Sequence, residues 1–105
     1  MVRRAEAIDA YVALTENTLK TMVLRAAYEN GWIVYHEVQS MKRNGGGAGY
    51  PDLTLARDKE VIWLELKQEK AQPTPQQWAW LAALPAAHVI RPSDWYSGRV
   101  AELLS

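Results

Sequence analysis

The chain has no cysteine, no phenylalanine, only two histidines and no excess charge of either sign. Each absence excludes something. Without cysteine there is no disulfide, no thiolate zinc site and no thiol nucleophile. With only His36 and His88, a histidine-rich metal site is excluded, and any metal would be held mainly by carboxylate oxygens. Such donors suit magnesium, manganese or calcium. No apolar run approaches the roughly 20 residues that cross a bilayer. The charged start, Arg3-Arg4-Ala5-Glu6, is not followed by the apolar core of a secretion signal. The expectation is a cytoplasmic protein with no membrane partner. Twelve basic residues balance twelve acidic ones, which by itself counts against a nucleic-acid partner, since such partners usually call for a basic excess.

What is present fits one globular domain over residues 1–105, with 49% apolar and 23% charged residues. Residues 3–13 have helical spacing. Thr15 reads as an N-cap, with Glu16 in the first turn, where the helix dipole favours an acid. Leu19, Met22, Val23, Ala26 and Ala27 then form one apolar stripe, and Asn30-Gly31 stops the helix. Residues 32–36, 53–56, 61–67 and 87–90 read as strands. The second and third are joined by the polar turn Arg57-Asp58-Lys59-Glu60 as a hairpin. Thr74-Pro75 opens a helix that Pro85 closes, and Ser93 or Asp94 caps a last helix reaching Leu104. The order α, β, β, β, α, β, α predicts an α/β fold with a mixed central sheet flanked by helices.

The third strand carries an oddity. Ile62, Leu64 and Leu66 make one apolar face, while Glu65 and Lys67 share the other, about 7 Å apart. The plain reading is an exposed ion pair on a solvated face, worth little. The hairpin suggests more. Counted outward from the turn, Asp52 falls near the level of Glu65, so the two carboxylates could converge on one divalent cation beside Lys67. Two carboxylates and a backbone carbonyl, such as that of Leu66, leave room for the waters that magnesium keeps when it also meets phosphate. Such an ion polarises a phosphoryl oxygen, and a lysine next to it stabilises developing charge.

Gly49-Tyr50-Pro51-Asp52-Leu53, followed by Trp63-Leu64-Glu65-Leu66-Lys67, resembles the core of the PD-(D/E)xK nucleases, and in particular the virus-type replication-repair nuclease (VRR-NUC) domain. Thr74-Pro75-Gln76-Gln77 resembles that family's helix start, Glu16 matches the acid of its first helix, and Gly31 to His36 resembles the helix exit and first strand. The likeness covers about residues 15–92. It implies a restriction-endonuclease-like core and a Mg2+- or Mn2+-dependent endodeoxyribonuclease selective for branched DNA such as Holliday junctions. It further implies Asp52, Glu65 and the Leu66 carbonyl as metal ligands and Lys67 as the catalytic lysine. Glu16 would reach the metal through a water, and Gln77 would hydrogen-bond near Lys67 or the substrate phosphate. Stand-alone members resemble junction resolvases of phage type, which implies a homodimer. A catalytically silent DNA-binding module and a sequence-specific restriction-type nuclease are the alternatives.

The segment 40–50 contains Gly45, Gly46, Gly47 and Gly49 with Lys42, Arg43 and no acid. It lacks the Gly-Lys-Ser/Thr ending of a nucleotide-binding loop, so no nucleotide cofactor is expected. It reads either as a connector or as a basic arm in which Lys42 and Arg43 contact DNA phosphates, with Tyr50 beside the metal site as a further DNA contact. Bound metal and this arm would reconcile a neutral total with a positive DNA-facing surface.

Overall fold

The computed structural model describes residues 14–37 and 48–105. Both the helical stretch expected at 3–13 and the arm residues Lys42 and Arg43 lie outside them. The described chain is mixed α/β. In order it forms α1 (Glu16–Glu29), β1 (Ile33–His36), β2 (Leu53–Arg57), β3 (Glu60–Leu66), α2 (Pro75–Ala83), β4 (Ala87–Ile90), α3 (Pro92–Tyr96) and α4 (Arg99–Leu104). No helix among the described residues is long and apolar enough to cross a membrane.

Helix α1 begins where its cap dictates: the Thr15 hydroxyl accepts the Thr18 N–H at 3.1 Å. Leu19, Val23 and Ala27 are its buried residues, the i, i+4, i+8 core of the expected stripe. Asn30 closes the last turn, and Gly31, at φ 82°, turns the chain into β1.

The four strands form one open sheet in the order β1-β2-β3-β4. β1–β2 and β2–β3 are antiparallel, and β3–β4 is parallel. β2 and β3 are joined by a two-residue turn, Asp58-Lys59, with φ of 50° and 67°. Both residues being left-handed is the type I′ geometry that matches strand twist. The parallel pair requires a crossover, which α2 provides. Its N-terminus carries a full capping box. Thr74 Oγ1 accepts Gln77 N–H at 3.2 Å, and Gln77 Oε1 accepts Thr74 N–H at 2.8 Å.

One sheet face carries the core. Leu53, Leu55, Ile62, Leu64, Leu66 and Ile90 pack there against α1 and against Val100 and Leu104 of α4. Trp32 and Arg57 tie the far end. Arg57 lies 4.2 Å over the Trp32 ring and donates to the carbonyls of Asn30, Leu104 and Ser105, while Trp32 Nε1 donates to Leu104 O. These donors satisfy carbonyls that the end of α4 leaves open.

The last helix expected from the sequence is two short ones. Gly98 adopts φ 89° between them, a left-handed kink that ends α3. Neither Ser93 nor Asp94 is its N-cap. Arg91 holds that position, and Asp94, three residues on, reaches back to accept Arg91 N–H at 2.8 Å. Arg99 also closes the β4 edge, donating to Val89 O at 3.1 Å. β4 turns its even carbonyls to β3, as the bonds from Trp63 N to Ala86 O and Lys67 N to Ile90 O show, so Val89 O faces outward and Arg99 covers it.

The turn gives a stability prediction. Lys59 holds a left-handed conformation that only glycine adopts without penalty, so Lys59→Gly should stabilise the protein by about 0.5–1 kcal/mol. Thermal unfolding should show a raised Tm.

Candidate active site

β3 is hydrogen-bonded on both sides, so both of its faces are at issue. Its second face holds Val61, Trp63 and Glu65, with Lys67 just beyond. Glu65 is only 1% exposed. Its carboxylate Oε2 lies 3.7 Å from Lys67 Nζ, and the Lys67 side chain is 14% exposed. The solvated ion pair considered from the sequence is therefore corrected: this end of the face is buried.

Asp52 meets this pair through the ladder. Continuing the register one step beyond Leu53↔Leu64 sets Asp52 opposite Glu65. The next step would pair Pro51 with Leu66, but proline has no N–H to donate to the Leu66 carbonyl. The Leu66 N–H goes to the Asp52 side chain, whose Oδ2 accepts it at 2.8 Å. N–H and C=O of one strand residue point to the same edge, so the Leu66 carbonyl also faces the Asp52 side. One residue missed by the sequence reading belongs to the same row: Glu37 N–H donates to Asp52 O at 2.9 Å, one step beyond His36↔Leu53. Pairing β1 with β2 by register would have found it.

The chain entering Asp52 is clamped. Tyr50 OH receives Trp63 Nε1–H at 2.9 Å and pairs with Thr54 Oγ1 at 3.0 Å. Its ring meets Trp80 of α2 edge-on, centroids 5.0 Å apart. Trp80 Nε1 donates to Ala48 O at 3.0 Å. Gly49 lies against the backbone of Gln76, where a Cβ would come within 2.5 Å of the carbonyl carbon, and its φ is 83°. Only glycine fits. The chain leaving Lys67 is held too: Glu69 Oε2 accepts Ser93 N–H, and Arg91 donates to Ala71 O.

The other candidates fall as follows. Tyr50, offered as a DNA contact, is half-buried with its hydroxyl engaged. Gln77, offered as a phosphate or Lys67 contact, has its amide oxygen committed to the α2 cap; Thr74-x-x-Gln77 is a signature readable in the sequence. Glu16 sits exposed in the first turn of α1. Among the described residues no three acids or imidazoles come close enough to hold a metal together. The direct carboxylate donors brought side by side are therefore Asp52 and Glu65. Chemically, the arrangement offers two carboxylates, an outward carbonyl and an ammonium at one sheet end, rigidly supported on both flanks.

Compared with known protein families, curated proteins and solved structures, the chain matches none.

The histidines lie outside this pair. Burial lowers the pKa of His36, with Lys20 adding to it, and burial lowers that of His88, with Arg99 adding to it. Below the ordinary value of 6.5 the unfolded chain therefore binds more protons than the folded one. The stability from keeping these rings neutral is present above about pH 6.5 and is lost as pH falls through it. Thermal unfolding between pH 7.5 and 5.5 should show Tm falling, and His88→Gln should flatten part of that slope. Gly49→Ala should cost about 1–3 kcal/mol through overpacking and backbone strain, measurable by urea unfolding.

Proposed function

We propose that the protein is a metal-dependent nuclease of PD-(D/E)xK type, hydrolysing phosphodiester bonds in DNA and favouring branched substrates. The observation that carries this reading is the burial of Glu65 beside Lys67, opposite Asp52. A buried carboxylate costs several kcal/mol of desolvation that one ammonium seldom recovers, and an apolar residue there would serve the fold as well or better. An acid kept in such a place marks a site whose chemistry needs it. The sequence pattern around these three residues, with its resemblance to the VRR-NUC domain, supplies the reaction class.

The donor set fits a hard divalent cation. Asp52, Glu65 and the Leu66 carbonyl are all oxygen donors, and magnesium characteristically takes one or two carboxylates and keeps several waters. When bound, magnesium or manganese would polarise the phosphoryl oxygens and make a bound water more acidic. The chain's own residues do the rest. The Leu66 N–H fixes the Asp52 carboxylate, so its second oxygen has a defined direction. Glu65, buried beside Lys67, places its carboxyl group in a low-dielectric setting where electrostatic contacts are strong. The Lys67 ammonium, near the surface, stabilises negative charge developing on the phosphate or orients the attacking water.

The test uses a four-way junction, a flap and plain duplex, with magnesium, manganese or EDTA. Wild type should cut the branched substrates with metal and none with EDTA. Asp52→Asn keeps an oxygen acceptor for Leu66 N–H, so it should retain Tm while losing at least about 100-fold in rate. Glu65→Gln should lose activity similarly with Tm unchanged or raised. No cleavage by wild type under any metal condition would overturn the reading, and cleavage of duplex at one sequence would favour a restriction-type enzyme. DNA binding should weaken in EDTA and with rising salt.

A further inference from the structure

Helix α2 packs on the edge strand β4, and beside their contact lies a cavity of about 380 Å³, within the roughly 300–1,000 Å³ range of small-ligand sites. Neither carboxylate of the pair nor Lys67 lines it. Trp78, Leu81 and Ala82, spaced i, i+3 and i+4 on α2, form one wall. From Ala71 to Ala87 there is no charged residue, so that wall is apolar, and Ala87 and Val89 extend it onto β4. Alternation puts His88 on the opposite face of the sheet from these two. It lines the same cavity, with Arg99 of α4 beside it. The cavity therefore wraps the open edge of β4.

Two of its walls have unused chemistry. Trp78 is 48% exposed. The other tryptophans serve the fold: Trp32 is buried, Trp63 and Trp80 are tied through their Nε1–H groups, and Trp95 packs against the core. The polar wall offers donors. Arg99 Nη1 donates to Val89 O at 3.1 Å and meets Asp94 Oδ1 at 3.0 Å, and Nη2 lies 3.4 Å from His88 Nδ1. A guanidinium can only donate, so His88 Nδ1 accepts and the ring proton sits on Nε2. Burial, with Arg99 adding to it, lowers the His88 pKa, so the ring is neutral at pH 7. His88 Nε2–H, Arg99 Nε–H and one Arg99 Nη2–H are left to meet a ligand. Asp94 balances the Arg99 charge, which makes this wall a set of directed donors with little net charge.

We infer that this cavity binds a guanine base, stacked on Trp78 with its O6 and N7 edge toward Arg99 and His88. An indole face over an apolar floor accommodates a flat ring, and a donor-only wall selects acceptors. Guanine presents two adjacent acceptors, O6 and N7, the edge that arginine reads most often. Adenine has an amino group in place of O6, and cytosine presents its N4 amino group; these would set donor against donor. Thymine offers one acceptor beside a methyl. The balanced charge favours a neutral base over a phosphate as the part recognised, so a phosphate-binding loop is not required. A free nucleotide and an unpaired base in a strand offer the same edge and an open ring face, whereas a duplex covers the ring between its neighbours. The inference does not depend on the metal-site reading, and its test is run in EDTA.

The full chain is titrated with GMP while NMR follows the indole N–H signals of its five tryptophans. The Trp78 signal, identified by its loss in Trp78→Ala, should shift with a Kd of about 0.1–1 mM. AMP and CMP should bind at least about 10-fold more weakly. IMP, which keeps O6 and N7, should match GMP, while 7-deaza-GMP should lose about 10-fold; these comparisons leave the protein unchanged. Trp78→Ala should weaken GMP binding at least about 10-fold, and Arg99→Gln should erase the preference for guanine. Tyr28→Ala, exposed on α1, should alter neither, and circular dichroism confirms that all three variants fold. A thymine strand with one central guanine separates the sources. Tighter binding than an all-thymine strand assigns the site to an unpaired base, and binding of GMP without it assigns the site to the free nucleotide. No shift of the Trp78 signal at about 10 mM GMP overturns the inference. So does equal binding of GMP and AMP, equal binding of GMP and 7-deaza-GMP, or binding unchanged in Trp78→Ala.

Discussion

Strand β3 is bonded to a neighbour on each edge, antiparallel to β2 and parallel to β4, and the rest of the molecule follows from that position. One face takes the leucine core under α1 and α4. The other is uneven: Val61 at one end is exposed, Glu65 at the other is buried. The connection that a parallel neighbour demands brings α2 to β4, with Trp80 reaching Tyr50 beside Trp63. The acid at position 65 sits at the buried end, with Lys67 two residues on beside it. The position is a consequence of topology, and the acid is a choice of sequence. Their coincidence gives the site its character.

Most of the strand and helix pattern was readable because its causes are local. Thr15, Thr74, Pro75, Asn30 and Gly31 mark helix ends by their own backbone chemistry, and the alternation of residues 61–67 is strong enough to define a strand. The level of Asp52 against Glu65 was also accessible, since a hairpin fixes its own register. What escaped depends on contacts made at a distance. The burial of Glu65 depends on chain segments far from it in sequence. The engagement of Tyr50 needs Trp63 and Trp80. The break at Gly98 needs α4 to turn toward the core, and Glu37 enters the row only through pairing of β1 with β2. Gln77 is the instructive case, since the resemblance offered it to the substrate while its local spacing already committed it to a helix cap.

The neutral total charge is less informative than its distribution. A charge-free stretch from 71 to 87 confines the twelve acids and twelve bases to the rest of the chain. Three of those acids, Glu37, Asp52 and Glu65, stand on one level of the sheet, with Lys67 beside the last. Zero is here a sum over an uneven distribution.

The β2–β3 hairpin also has a bearing on the order of assembly. Its strands meet across two residues, and hairpins of this kind close within microseconds. β1 must return across residues 37–52, and β4 reaches β3 only after the whole of α2, so both carry larger loop-closure costs. The desolvation of Glu65 then belongs with the longer closures: in the hairpin alone its carboxylate still meets water, and its burial waits on chain that joins the sheet afterwards.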